Sequence, residues 1–214
     1  HRDLHSFPTR RSSDLSTSSK SIQDYLELLN ESNDEIENLI EELVVPETWF
    51  FRDKEPYVLL KNHITEIRNN RSKKSKIKIL SIPCSSGEEP YSIAITLFEM
   101  GLTTDKFSID AIDISSQSIT KAMKGVYKKI SFRDNSSDLI EKYFDISEYD
   151  YKLNSKILHS VNFHRLNLVS EEINFPSSSY DIIFCKNLII YLNEKSRKSI
   201  INNIKNLMAK NIWL

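Results

Sequence analysis

The sequence predicts an α/β protein with a doubly wound, mostly parallel sheet, preceded by a small helical element. Three observations carry this. From residue 77 onward, short β-forming runs alternate with amphipathic runs, the order that lays helices over both faces of a sheet. The runs at 77–82 and 181–185 are rich in isoleucine and other apolar residues, as doubly covered strands must be. Ahead of them, residues 22–43 repeat their apolar side chains at the helical period.

The elements follow in order. Residues 1–20 are polar and aperiodic; they read as a disordered tail or artefactual, adapter-like sequence and take no part in the fold. Ser21 suits the cap of a helix that carries Ile22, Tyr25, Leu26 and Leu29 on one face. Ile36, Leu39, Ile40 and Leu43 mark a second helix, which Pro46 ends. A third is expected over 55–67, with Pro56 in its first turn. Residues 21–68 thus read as a partial helical N-terminal domain with an aromatic linker motif. The polar, basic stretch 69–76 reads as a connector, and 77–214 as the main domain.

In that domain a strand at 77–82 stops at Pro83 and a helix covers 89–100. A strand spans 107–112 and a helix 118–124. Leu139, Ile140 and Tyr143 mark another helix. Residues 156–161 and 162–166 read as short strands, and 181–185 as a buried one. Asn193 caps a helix carrying Ile200, Ile201, Ile204, Leu207 and Met208. The chain stops at Leu214, where Trp213 and Leu214 would begin one more strand.

Composition excludes several functions. The 29 Lys and Arg nearly balance 30 Asp and Glu, for a net charge of -1, so nucleic acid is not an expected partner. No apolar run approaches the roughly 20 residues of a membrane span. With three glycines, neither a GxGxxG fingerprint nor a phosphate-binding loop can form. Cys84 and Cys185 cannot build a disulfide framework and fit a reducing, cytoplasmic compartment. Of the five histidines only His159 and His164 are near neighbours, and no metal site is expected.

Ligands of open α/β sheets bind beyond the carboxyl ends of the strands. After the first strand comes Pro83-Cys84-Ser85-Ser86-Gly87-Glu88-Glu89-Pro90. Gly87 permits a tight turn and a close backbone approach. The paired acids repel a polyphosphate and favour a cationic ligand, or simply stabilise a helix start. Asp113 ends the second strand, where an acid can accept from a ribose diol. Asn167, Asn187 and Tyr191 follow later strands. Before the sheet, Thr48 and Arg52 bracket Trp49, Phe50 and Phe51, and Arg52 alone there can clamp a carboxylate in two-pronged fashion.

TWFFRD at 48–53, CSSGEEPYSIA at 84–94, AIDIS at 111–115 and YDIIFCKNLIIYL at 180–192 together resemble the CheR-type chemotaxis receptor methyltransferases. The resemblance covers roughly residues 22–212. It implies a class I methyltransferase sheet, S-adenosylmethionine as cofactor, and O-methylation of glutamate side chains in the cytoplasmic signalling domain of chemoreceptors. It implies a small β-rich subdomain near 131–162 and a monomer. By the same resemblance Thr48, Arg52, Glu88, Asp113, Ile114, Asn167, Leu168, Asn187 and Leu188 bind the cofactor. Arg52 and Tyr191 face the acceptor carboxyl. The alternatives are a CheR-like domain of a larger signalling protein with another acceptor, and a non-catalytic binding fragment. Two positions depart from the pattern: Lys186 replaces a common arginine and Ser115 a frequent second aspartate. The family also continues past the position of Leu214, so the chain reads as a fragment.

Overall fold

The computed structural model describes residues 21–44, 46–70, 75–133, 137–169, 180–188 and 192–208. The tail at 1–20, part of the connector, Tyr191 and the chain end at 209–214 lie outside the described residues. The chain divides into two compact units, His1–Pro46 and Glu47–Leu214.

The first unit holds α1 (Ile22–Glu31) and α2 (Asn33–Leu43). Ser21 caps α1 as expected, its Oγ accepting from the Asp24 amide at 3.1 Å. Ser32 does the same for α2, accepting from Glu35 N at 3.2 Å. The Tyr25 hydroxyl donates to Glu35 Oε1 at 2.9 Å.

The second unit opens with α3 (Lys54–Asn70). It continues with β1 (Ile77–Ser81), α4 (Glu88–Glu99), β2 (Phe107–Asp113), α5 (Ser116–Lys124) and β3 (Val126–Tyr127). A 3-10 turn (Lys129–Phe132) leads to α6 (Ser137–Tyr143), β4 (Phe144–Ile146), β5 (Tyr151–Leu153), α7 (Ser155–Leu158) and β6 (Val161–Arg165). The described part ends with β7 (Ile182–Phe184) and α8 (Glu194–Leu207). Asn193 caps α8, accepting from Ser196 N at 2.9 Å.

The main sheet has the order β6-β2-β1-β7, and every pairing in it is parallel. The chain therefore winds outward from β1 through β2 to β6, then returns to the other side of β1. Alternation along the strands feeds two cores. Ile79 and Ile109 enter one core, with Ile64, Ile93 and Leu97. Leu80 and Ile112 enter the other, beneath Ile200 and Ile204 of α8. Coverage on both faces is what the apolar strands required.

Two features differ from expectation. Residues 155–158 form a helical turn, not a strand. Asn154 accepts from Ile157 N at 3.1 Å, and this local cap wins over a run of mixed propensity. The small antiparallel sheet, ordered β3-β5-β4, draws its first strand from Val126–Tyr127, ahead of the 131–162 stretch. Its strands are two or three residues long, too short for a periodic signal.

Gly87 and Gly125 join the small sheet to the large one. At Gly87 φ is +93°, and a Cβ would meet Ala122 Cβ at 2.8 Å and the Tyr127 hydroxyl at 3.0 Å. The space the glycine leaves is filled by protein rather than held open for a ligand. At Gly125 φ is +61°, but the nearest atom to an added Cβ is the flexible end of Leu158. Gly87→Ala is therefore expected to cost about 2–4 kcal/mol and Gly125→Ala about 1 kcal/mol. Urea midpoints of the two variants check the ranking; equal losses would remove the packing argument at Gly87.

Candidate functional site

The winding reverses between β1 and β7, and the crevice of such a sheet opens at the carboxyl ends of those strands. Three segments meet there: 82–89 after β1, 185–188 after β7, and 47–53 ahead of α3.

Segment 47–53 has no regular structure of its own and is held by other elements. Phe50 N donates to Ser131 O at 2.8 Å. Phe51 N donates to Ser92 Oγ of α4 at 2.9 Å. Lys186 Nζ donates to the Arg52 carbonyl at 2.9 Å and pairs with Asp53 at 3.0 Å. Phe50 lies in an aromatic cluster, stacked on Phe132 with centroids 5.0 Å apart. The three aromatics of this motif thus divide: Phe50 and Phe51 anchor, while Trp49 stays half-buried beneath Arg52.

The Arg52 guanidinium is fixed along one edge. Its Nη1 donates to the Glu47 carbonyl at 2.6 Å. Asn187 Oδ1, in the amide orientation that satisfies both groups, accepts from Nη1 at 2.9 Å and Nη2 at 3.0 Å. Its Cζ lies 4.4 Å from the centre of the Trp49 ring. The edge formed by Nε and the second Nη2 hydrogen meets only Asp53 among the described residues, at 4.0 Å. That edge is the two-pronged donor a carboxylate needs.

The two acids after Gly87 part company. Glu88 is 1% exposed and turns inward, accepting from Ser86 Oγ at 2.8 Å and Ser131 Oγ at 3.1 Å. Glu89 faces the crevice. Its Oε1 accepts from Ser81 Oγ at 2.8 Å, and Lys186 and Arg52 are its cationic neighbours. Burial raises both carboxyl pKa values; the hydroxyl donors, and Lys186 for Glu89, oppose the rise. The resemblance assigns Glu88 alone to the cofactor, while the residues themselves read as a pair of acids favouring a cationic ligand. The spacing to Ser81, at the end of β1, was the available signal for Glu89.

Asp113 is 4% exposed at the end of β2. Its Oδ2 accepts from Ser85 N at 2.7 Å and its Oδ1 from Ser115 N at 3.0 Å, so it braces the loop after β1. The Ser85 hydroxyl is buried without a hydrogen-bond partner among the described residues. The remaining expected residues are spread more widely. Thr48 is half-buried beside Trp49. Ile114 presents its carbonyl to Arg165 Nε at 3.1 Å. Asn167 is exposed and accepts from Val169 N at 3.0 Å. Leu168 is 7% exposed in the core under α8, and Leu188 packs against that core. Tyr191 lies outside the described residues.

Neither thiol is set up as a nucleophile. Burial, then Asp113 and Glu89, push Cys84 well above the ordinary thiol range; burial and Glu89 push Cys185 up to about 11. Among the described residues no group of three His, Cys, Asp or Glu side chains could hold a metal ion. No described helix is long and apolar enough to cross a membrane.

Residues 46–214 match the family described as CheR methyltransferase, SAM binding domain. The chain is 36% identical over 185 residues to the probable biofilm formation methyltransferase WspC of Pseudomonas aeruginosa, covering 86% of this chain and 44% of that protein. It is 32% identical over 204 residues to the chemotaxis protein methyltransferase of Borreliella burgdorferi, covering 91% and 72%. The chain thus spans less than half the length of WspC. The DszA carbon methyltransferase structure is similar with a TM-score of 0.48 at 15% identity, over 85% of this chain and 34% of that one. The strand order, not that likeness, carries the fold.

Two outcomes are expected from the acids. Asp113→Ala strands one buried amide, at Ser115, and one part-buried amide, at Ser85, and should cost about 1–3 kcal/mol in a urea titration; a loss under about 0.5 kcal/mol would mean that water replaces the carboxylate. Glu88 has a folded pKa above its ordinary 4.5, so its proton binds more tightly in the folded chain. Its contribution is full below 4.5 and fades as pH rises through the folded value. Glu88→Gln should therefore gain stability relative to wild type as pH climbs from 4.5 to neutrality. A difference that is flat in pH would show that the carboxyl titrates normally.

Proposed function

The chain belongs to the CheR methyltransferase family, and on that premise we propose that it transfers a methyl group from S-adenosylmethionine to glutamate side-chain carboxyls of a chemoreceptor signalling domain. The observation that carries the proposal is Arg52: a guanidinium clamped along one edge by Glu47 O and Asn187, whose other two-donor edge meets only Asp53 among the described residues, at 4.0 Å.

The residues of the crevice fit the cofactor. Glu89 suits its ammonium group, and Asp113 with the buried Ser85 hydroxyl suits the ribose side. The resemblance assigns Thr48, Arg52, Glu88, Ile114, Asn167, Leu168, Asn187 and Leu188 to the cofactor beside Asp113; Glu89 and Ser85 are added on their place in the crevice. When bound, S-adenosylmethionine supplies a methyl group on a sulfonium, already electrophilic. An ionised glutamate is already nucleophilic. The protein therefore has no proton to remove and needs no general base. Arg52 holds one acceptor oxygen and leaves the other aimed for attack. Glu89, withdrawn from water, offers a fixed negative charge near a cationic group. Tyr191 is assigned to the acceptor side by the resemblance alone. Exclusion of water preserves the orientation, the main contribution left to the enzyme.

A second reading has its own support. Two of the relatives are named biofilm formation methyltransferases, and this chain matches 44% of each. A CheR-type domain acting within a larger signalling protein, on another acceptor, accords with that. Under either reading we assign the domain to the cytoplasm and treat it as a monomer.

Methyl-labelled cofactor, incubated with the chain and receptor signalling domain, should leave label on the receptor that mild alkali releases as methanol. Alkali-stable label would rule out a carboxyl ester. Arg52→Lys keeps the charge and loses the fork. Methyl transfer should fall by about 10–100-fold while cofactor affinity changes by less than about threefold. A parallel fall in both would make Arg52 a cofactor ligand only.

A further inference from the structure

Arg133, just after the 3-10 turn, is used by none of the chemistry above. Its contacts nevertheless coincide with those of Arg52. Arg133 Cζ lies 4.2 Å from the centre of the Trp49 ring, the ring that Arg52 also covers at 4.4 Å. Its Nη1 lies 3.7 Å from Glu47 Oε1, while the carbonyl of the same Glu47 accepts from Arg52 Nη1. We propose that Arg133 is a positioning residue for Arg52, acting through Trp49 and Glu47. The proposal rests on the role given to Arg52 above.

Stability does not account for these contacts. The Arg133 and Glu47 side chains are 45% and 59% exposed, and an ion pair in that setting contributes little. Geometry accounts for them better. The backbone leading to Arg133 is fixed against segment 47–53 by the bond from Phe50 N to Ser131 O and by the near-parallel Phe50–Phe132 stack at 6°. A planar cation extended from that fixed base settles the indole. The indole settles the face of Arg52, and Asn187 settles its end. A guanidinium that must present its remaining edge within a fraction of an ångström needs all three supports, because a 1 Å error can cost about 100-fold in rate. The same turn also reaches the acid pair after Gly87, since the Ser131 hydroxyl donates to Glu88. The approach to the small sheet thereby sets the aim of the acceptor clamp.

The test uses the full 214-residue chain and three variants: Arg133→Met, Arg133→Lys, and Arg133→Met combined with Arg52→Lys. One readout is independent of activity. Lying over the indole, the Arg52 Nε–Hε group carries a ring-current shift visible in nitrogen-15 NMR, assigned by its loss in Arg52→Lys. In Arg133→Met this signal should move toward that of a free arginine and exchange with water about tenfold faster, with the melting temperature unchanged. Arg133→Lys should fall between, since it keeps a cation and loses the plane. Methyl transfer should drop about tenfold in Arg133→Met with cofactor affinity unchanged, and should drop no further when Arg52→Lys is already present. An Arg52 signal unmoved in Arg133→Met overturns the proposal, as does an equal rate loss in the Arg52→Lys background. A wild type that transfers no methyl group would instead defeat the reading of function, leaving the NMR signal to decide positioning.

Discussion

Two adjacent carboxylates at the start of α4 set the terms for everything around them. The first turn of a helix favours acids, but withdrawing two of them from water raises both pKa values and demands partners. The structure meets the demand by splitting the pair. Glu88 takes hydroxyls from Ser86 and from Ser131 of the 3-10 turn. Glu89 takes the Ser81 hydroxyl and the neighbourhood of Arg52 and Lys186. Those partners belong to separate stretches of chain: the end of β1 and the loop after it, the 3-10 turn that follows β3, the loop after β7, and segment 47–53. Each acid therefore ties together stretches that also meet through Lys186, Asp53 and the Phe50–Phe132 stack. The crevice between β1 and β7 is the product.

Backbone strain is concentrated in the same place. Phe51, Asp53, Ser85 and Asn187 all have φ between 47° and 60°, and none is glycine. Each such residue costs on the order of 1–3 kcal/mol and persists only where its surroundings over-determine it. The surroundings do so here. Phe51 is bonded through its amide to Ser92, Asp53 is paired with Lys186, Ser85 is bonded through its amide to Asp113, and Asn187 is bonded to Arg52. Four strained turns, each held by one specific side chain, mark the segments that meet at the crevice. The regular elements beneath carry none.

What the sequence disclosed follows from how local each signal is. The caps at Ser21 and Asn193, the apolar strands at 77–82 and 181–185, and the helices of both units depend on residues within a few positions, and they were legible. The helical turn at 155–158 was not, because one Asn154 cap outweighs the mixed propensity of four residues. The small sheet was not located by pattern, because pairing Tyr127 with Tyr151 is a decision taken far along the chain. The TWFFRD and CSSGEEPYS strings pointed to segments that the structure brings together at the carboxyl end of the sheet. They could not say which acid faces the crevice, since adjacent helical residues differ by about 100° in direction and only the fold fixes the zero. Arg133 carried no signal: its role exists only once Trp49 and Glu47 lie against it.

The departure at Lys186 separates two kinds of cation in one site. Where the family commonly has arginine, this chain has an ammonium group. That group bonds a backbone carbonyl and pairs with Asp53 while lying near Glu89. None of these tasks needs a plane or a fork; a point charge with three donors serves them. Arg52 is different, because both of its edges have geometry. One edge shares a single amide oxygen between two nitrogens, and on the proposed function the other must hold one acceptor oxygen while leaving its partner aimed for attack. With both thiols pushed upward, orientation is the main thing the described residues of the crevice can contribute. A site of that kind can exchange the cation that holds its walls. On the proposed function, it cannot exchange the cation that aims its acceptor.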